Sequence, residues 1–380
     1  MTAMPRLSLR LLADDLTGAL DSAAAFASAE APVPVVWRGE IPEHGSVAFD
    51  SATREISAAQ ARLAVRALAP RLWHFRSGLA FKKVDSLLRG HEAAELCAIV
   101  DWLQPDHCIV APAFPAQNRV THGGRQWAGA TPGEICVETD LVADLVRADL
   151  AVHVAEPGDP VPRGVSFWNA RTDADLDLVV ARADGPERTL WVGSGGLAAA
   201  LARRSRGQEA RAQEMRRPVR PPLGRPVLGL IGSDQAVARR QLERLGRNHV
   251  VLAQGGEGEL ARLLAAEGVG FASVALADGL DRRRAAAEIA GRFARLADGL
   301  PPPGTLVVAG GETLRGVCDH LGTARLDVIG EMMPGIPCSV MRGGRWDGVA
   351  VVSKSGAFGG PDILKQIVTG EVAAIAGAAA

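Results

Sequence analysis

Along most of the chain, short continuous apolar runs alternate with stretches whose apolar residues recur every three or four positions, the periods of buried strands and of amphipathic helices. Up to residue 204 the strand-like runs are Leu7–Leu12, Val33–Trp37, Val47–Phe49, Leu72–Val84, His107–Ala111, Val165–Trp168 and Thr189–Val192. Helical spacing predicts helices near 18–29, 57–69, 90–103, 172–183 and 195–204. The rhythm lapses over 203–226, where arginines crowd together and Pro218, Pro221, Pro222 and Pro226 block regular pairing. It resumes with strands at Val227–Ile231, Val250–Leu252, Thr305–Val308, Ile336–Val340 and Gly348–Val352, and with helices near 234–246, 257–266, 312–321 and from about 361.

Strands alternating with helices predict mostly parallel sheets covered on both faces. The expected fold is therefore two α/β domains with an active-site cleft between them. The N-terminal domain is expected over 1–205, a linker over 206–226 and the C-terminal domain over 227–380.

Composition narrows the classes of function. With 42 Lys plus Arg against 43 Asp plus Glu, the formal net charge of -1 supplies no field for a nucleic-acid backbone. No apolar stretch approaches the roughly 20 residues of a membrane span. The 5 cysteines are dispersed and form no C-x-x-C pair, which fits a reducing, cytoplasmic compartment. The oligomeric state, a homodimer included, stays open at this level.

Candidate chemistry gathers where strands end, since ligands of open parallel sheets bind at those ends. After the first strand come Asp14 and Asp15, followed by Thr17; one acid can cap the next helix, but capping does not need both. Paired carboxylates there can hydrogen-bond hydroxyls, hold a cation or take a proton. At the end of the fourth strand Lys82 and Lys83, followed by Asp85, Ser86 and Arg89, place cations, an acid and a hydroxyl together, a set suited to an anionic, hydroxylated substrate. Asn118 and Arg119 follow a proline-stiffened turn after the fifth. In the C-terminal half, glycine- and serine-rich turns at Gly232-Ser233, Gly310-Gly311-Glu312-Thr313 and Ser353–Gly360 offer free backbone N–H groups to phosphate, with Lys354 beside the last. There is no G-x-x-x-x-G-K-[ST] loop, and no G-x-G-x-x-G follows the first strand.

Taken together, ADDLTGALD (13–21), KKVDSLLRG (82–90), PAFPAQNR (112–119), VGSGGLA (192–198), GSDQAVARRQ (232–241), GGETLRG (310–316) and KSGAFGG (354–360) resemble, in order, the four-carbon acid sugar kinases. The resemblance implies an N-terminal domain for the sugar acid and a C-terminal domain for ATP, with Mg²⁺ between the phosphates. It implies phosphorylation of a small acid such as threonate, erythronate or 3-oxo-tetronate. By position, Asp14, Asp15, Lys83, Asp85, Ser86 and Arg89 would face the acid, with Lys82, Asn118 and Arg119 near it. Asp14 or Asp15 would be the base, and Arg89, aided by Lys82 or Lys83, would take the carboxylate. Ser233, Gly310, Gly311, Glu312, Thr313 and Gly356 would face ATP. The sequence departs from the pattern at Leu87, where a hydroxyl residue is usual, and at His91 and Ala357, where Asn is usual. Two other readings are carried alongside: a non-catalytic sensor of sugar acid and nucleotide, and an NAD-dependent sugar-acid dehydrogenase.

Overall fold

The computed structural model describes residues 8–73, 78–129, 133–183, 188–210, 223–233, 235–252, 256–276, 279–356 and 358–370. Leu7, positions 74–77 of the expected fourth strand, 211–222 of the expected linker and Ala357 lie outside them. The described chain separates into two compact units, residues 8–28 with 33–210, and residues 29–32 with 223–370.

The first unit begins β1 (Leu9–Ala13), α1 (Leu16–Ala24), β2 (Val33–Val36), β3 (Val47–Asp50), α2 (Ala58–Leu72), β4 (Leu79–Lys83), α3 (Glu92–Leu103) and β5 (His107–Ala111). It continues β6 (Arg119–His122), β7 (Arg125–Ala128), β8 (Ile135–Cys136), α4 (Leu141–Arg147), β9 (Val152–Ala155), β10 (Gly164–Trp168), α5 (Asp173–Arg182), β11 (Thr189–Gly193) and α6 (Gly195–Ala210). Strands β2-β3-β1-β4-β11-β5-β10-β9 form one sheet in that order, parallel throughout. β1 and β5 are buried at every position, which is why they read as continuous apolar runs rather than alternating ones. Leu12, Phe49, Val110 and Phe167 of the sheet pack with Val65 and Leu72 of α2, Leu96 and Ile99 of α3 and Leu145 of α4. Each such side chain contributes about 1.5–3 kcal/mol on burial. The short strands β6-β7-β8 make a separate antiparallel sheet. α6 runs to Ala210, so the stretch expected to open the linker at 206 is still helical.

The second unit comprises β12 (Val227–Ile231), α7 (Ala236–Glu243), β13 (His249–Leu252), α8 (Glu257–Glu267), β14 (Val269–Val274), α9 (Arg282–Gly299) and β15 (Thr305–Ala309). After these come α10 (Gly311–Leu321), β16 (Arg325–Met333), β17 (Ile336–Arg342), β18 (Ala350–Lys354) and α11 (Ile363–Thr369). Strands β13-β14-β12-β15-β18 are parallel. β17 and β16 extend the sheet antiparallel. Phe271, Val307 and Val352 of this sheet pack with Leu242 of α7 and Leu364 of α11. Among the described residues no helix is long and apolar enough to cross a membrane.

Candidate active site

In the first unit β1 is flanked by β3 on one side and β4 on the other, so the chain turns to opposite sides of the sheet at this point. Three loops leave the carboxyl ends of these neighbouring strands, the usual place for a ligand in an open parallel sheet. The loop after β1 carries Asp14 and Asp15, the loop after β3 carries Arg54, and the loop after β4 carries Asp85 and Arg89.

Arg54 joins them. Its Nε and Nη2 donate to Asp14 Oδ2 and Oδ1 at 2.7 and 2.9 Å, and its Nη1 to Asp15 Oδ2 at 2.5 Å. Its Nη2 also lies 3.7 Å from Asp85 Oδ1. Arg89 forks onto the same Asp85, with Nε 2.6 Å from Oδ2 and Nη2 2.8 Å from Oδ1. Arg54 is absent from the residues singled out in the sequence. The rule that found the others, polar groups directly after a buried strand, reaches it after Val47–Asp50.

Lys82 and Lys83 alternate to opposite faces of β4. Lys82, 1% exposed, places Nζ 2.7 Å from Glu95 Oε2 on α3 and donates to the Lys83 carbonyl at 2.9 Å. Its charge is thus neutralised inside the protein. Lys83 points toward α1 and donates from Nζ to the Val84 carbonyl at 2.8 Å. A Cβ on Gly18 would lie 2.6 Å from Asp15 Oδ1 and 3.0 Å from Lys83 Nζ, so glycine there lets this acid and this base sit together. Asp15 also caps α1, its Oδ1 accepting from the Gly18 N–H at 2.8 Å. Of the uses weighed for this residue in the sequence, the capping one is therefore filled.

The two neighbouring acids differ electrostatically. Burial raises the Asp14 carboxyl, but Arg54 with Lys82 and Lys83 outweighs it and holds Asp14 below the usual carboxylate range. Burial raises Asp15; Arg54 opposes this, the Asp14 charge adds to it, and the net shift is upward. Asp85 is held low, burial being overcome by the Arg89 hydrogen bonds and by Arg54. Of the acids on this cluster, Asp15 is the better proton acceptor.

Glu92, 5% exposed at the start of α3, was also not singled out in the sequence. Its Oε1 accepts from the Gly90 N–H at 2.9 Å, and burial, reinforced by the Asp14 charge, raises it to about 7. The unfolded chain releases this proton near 4.5, whereas the folded one retains it to about 7. Stability therefore falls as pH rises across that window and levels off above it. We expect Glu92→Gln to flatten that decline in urea midpoints measured from pH 4.5 to 8; an unaltered profile would remove Glu92 as its source.

The remaining residues of this half have other surroundings. Ser86 offers its carbonyl to Gln126 Nε2 at 2.8 Å. Asn118 is exposed in a left-handed turn with φ 52°, and Arg119 Nη1 donates to the carbonyls of Gln117 and Asn118 at 2.9 and 3.1 Å. Burial lowers Arg119, while the nearby Asp85 charge favours its cationic form.

In the second unit β12, β15 and β18 are adjacent, so the three glycine turns that follow them converge. A Cβ on Gly232 would lie 1.8 Å from Thr313 Oγ1, and one on Gly356 would lie 2.6 Å from Ser233 Oγ. Gly310, at φ 113°, opens α10 without a side-chain cap and donates its N–H to the Lys354 carbonyl at 3.1 Å. Gly311, Glu312 and Thr313 form the first turn of that helix, whose leading N–H groups and positive end favour anions. Among the described residues no group of three or more His, Cys, Asp or Glu is placed to hold a metal.

Two family descriptions match the chain: a sugar-binding N-terminal domain over residues 9–163 and a nucleotide-binding C-terminal domain over residues 265–364. D-threonate kinase of Cupriavidus necator is 30% identical, over 93% of this chain and 95% of the relative. 3-Oxo-tetronate kinase of Methylobacterium radiotolerans is 29% identical, over 94% and 98%. A solved Salmonella typhimurium structure superposes with a TM-score of 0.70 at 20% identity, over 95% of this chain and 98% of that one, which speaks for the fold alone. With a kinase relative at this identity aligned along nearly the whole length, the chain belongs to the four-carbon acid sugar kinase family.

Proposed function

We propose that the protein transfers the terminal phosphoryl group of ATP to a hydroxyl of a four-carbon sugar acid, D-threonate being the first candidate. The observation that carries this reading is the cluster built on Arg54, in which an acid of raised proton affinity, Asp15, sits among fixed cations at a strand end. Phosphoryl transfer asks for positioning and charge compensation more than for covalent chemistry. Arg89, 45% exposed and anchored by Asp85, is the cation best able to reach a substrate carboxylate. Lys82 is withdrawn from that role by its bond to Glu95, leaving Lys83 as the second cation of the site. Asp15 orients the attacking hydroxyl and takes its proton as the O–P bond forms and ADP leaves.

On the nucleotide side, Ser233, Gly310, Gly311, Thr313 and Gly356 surround the converged turns and are assigned to the phosphates, with Glu312 at the rim. Because the described residues offer no ready-made metal cage, Mg²⁺ enters this reading as part of the MgATP substrate.

The test is ADP release with ATP, Mg²⁺ and a panel of both threonates, both erythronates and the 3-oxo acids. Release that depends on one acid identifies the substrate. Saturable binding of acid and nucleotide with no release under any condition would replace the kinase by a sensor.

A further inference from the structure

We propose that Lys354 and Gln241 act from inside the 355–360 turn, turning its peptide N–H groups outward, and that the nucleotide phosphates are held by the amides of Gly356, Gly359 and Gly360 rather than by the Lys354 ammonium. The proposal rests on the kinase reading above and specifies how its phosphate site works.

Lys354 is the last residue of β18 and is 1% exposed. Its Nζ donates to the carbonyls of Ser355 at 2.9 Å, Gly356 at 3.2 Å and Phe358 at 3.1 Å. An ammonium has three protons, and these three carbonyls use them all. From the other side comes Gln241 of α7, which is fully buried. Its Nε2 lies 3.0, 3.0 and 3.1 Å from the carbonyl oxygens of Phe358, Gly359 and Gly360. Among the described residues its Oε1 is buried with no partner, so the hydrogen bonds that orient the amide there are those to these carbonyls.

In a planar trans peptide the N–H points opposite to the C=O of the same unit. Drawing the carbonyls of Ser355, Phe358 and Gly359 inward therefore turns the N–H groups of Gly356, Gly359 and Gly360 outward. None of these three donates to a backbone carbonyl among the described residues. Pro361, which follows the inward carbonyl of Gly360, has no N–H to misplace. The turn also requires glycine: a Cβ on Gly356 would meet Ser233 Oγ at 2.6 Å, and Gly359, at φ 90°, would bring one to 2.9 Å from the Ile363 side chain. Outward amides of this kind form an anion-binding concavity, and the chemistry it takes is a phosphate oxygen. Burial lowers the Lys354 amine to about 8, so it stays mostly charged at neutral pH. That charge polarises the inward carbonyls and strengthens the outward donors.

The experiment uses the full chain with ADP and adenosine as probes. In the unsubstituted protein, ADP should slow hydrogen exchange at Gly356, Gly359 and Gly360, and adenosine should not. Gln241→Met keeps the side-chain length and removes the donor. It should weaken ADP binding and raise the KM for ATP about tenfold, the scale of one lost hydrogen-bonded anchor, with the adenosine Kd and the sugar-acid KM unchanged. ADP bound at normal affinity without protection of these amides would overturn the proposal. So would a loss of ADP affinity in Lys354→Met that Gln241→Met does not share, since it would place the ammonium on the phosphate. If ADP does not bind the unsubstituted protein at all, the nucleotide reading itself falls, and this proposal with it.

Discussion

Asp15→Asn should lower kcat by about a thousandfold, within the range that general-base catalysis contributes, while ADP affinity stays within about twofold, as expected for a site on other residues. Two observations single out Asp15 rather than Asp14. Asp14 receives both a fork from Arg54 and the influence of two buried lysines, which holds it ionised and poorly basic. Asp15 takes one contact from Arg54 and is raised, first by burial and then by the Asp14 charge. The substitution is also mild for the fold, because Asn caps helices as well as Asp does and can keep the bond to the Gly18 N–H. A kinetic loss can thus be separated from unfolding by circular dichroism of the same sample. Full turnover in this variant would remove Asp15 from the base role and return it to Asp14.

The second large effect concerns Arg54. Replacing it by Met leaves Asp14 and Asp85, both buried, and Asp15 without the cation they share. Removing one partner of a buried ion pair typically costs about 3–5 kcal/mol, more than the pair itself adds, because uncompensated charge remains in the interior. Urea unfolding of Arg54→Met should show a loss of that size. Adding Asp14→Asn to the variant should restore part of it, since one stranded charge is then gone. Arg54→Lys should recover only a minor share, as a single ammonium cannot reproduce the fork onto Asp14 and the bond to Asp15. A loss below about 1 kcal/mol, the scale of an exposed pair, would mean that water reaches these carboxylates and that the cluster is not held as described.

How much of this was legible in the chain depends on the element. His107–Ala111 and Val227–Ile231 stand as strands over the very residues expected from their apolar runs. Both are central strands buried on two faces, so every position carries the signal. β6, β7 and β8 were missed because they are short and partly polar and form a small sheet of their own. α9 was missed although Ile289, Phe293, Leu296 and Ala297 recur on its buried face; its arginines and alanines mask that stripe. β16 and β17 form a hairpin across residues 334–335, and β17 pairs antiparallel with the nearby β18, so these directions follow from short local connections rather than from the strand–helix alternation.

At the candidate site, the sequence by itself determined the local chemistry: which strand ends carry acids, cations or glycine turns, and the order of motifs shared with the acid sugar kinases. Residue type and short-range period suffice for that. Only the tertiary structure decided which of these groups meet. Arg54 reaches both aspartates because β3 lies beside β1, and the Lys82 ammonium meets an internal partner because Glu95 of α3 packs over it. Lys354, read in the sequence only as lying beside the last glycine turn, bonds three carbonyls inside that turn, and Gln241, 113 positions earlier in sequence, closes on the same turn. Such pairings depend on strand order and on burial. Burial reverses the use of a charge by making its nearest internal partner more favourable than water.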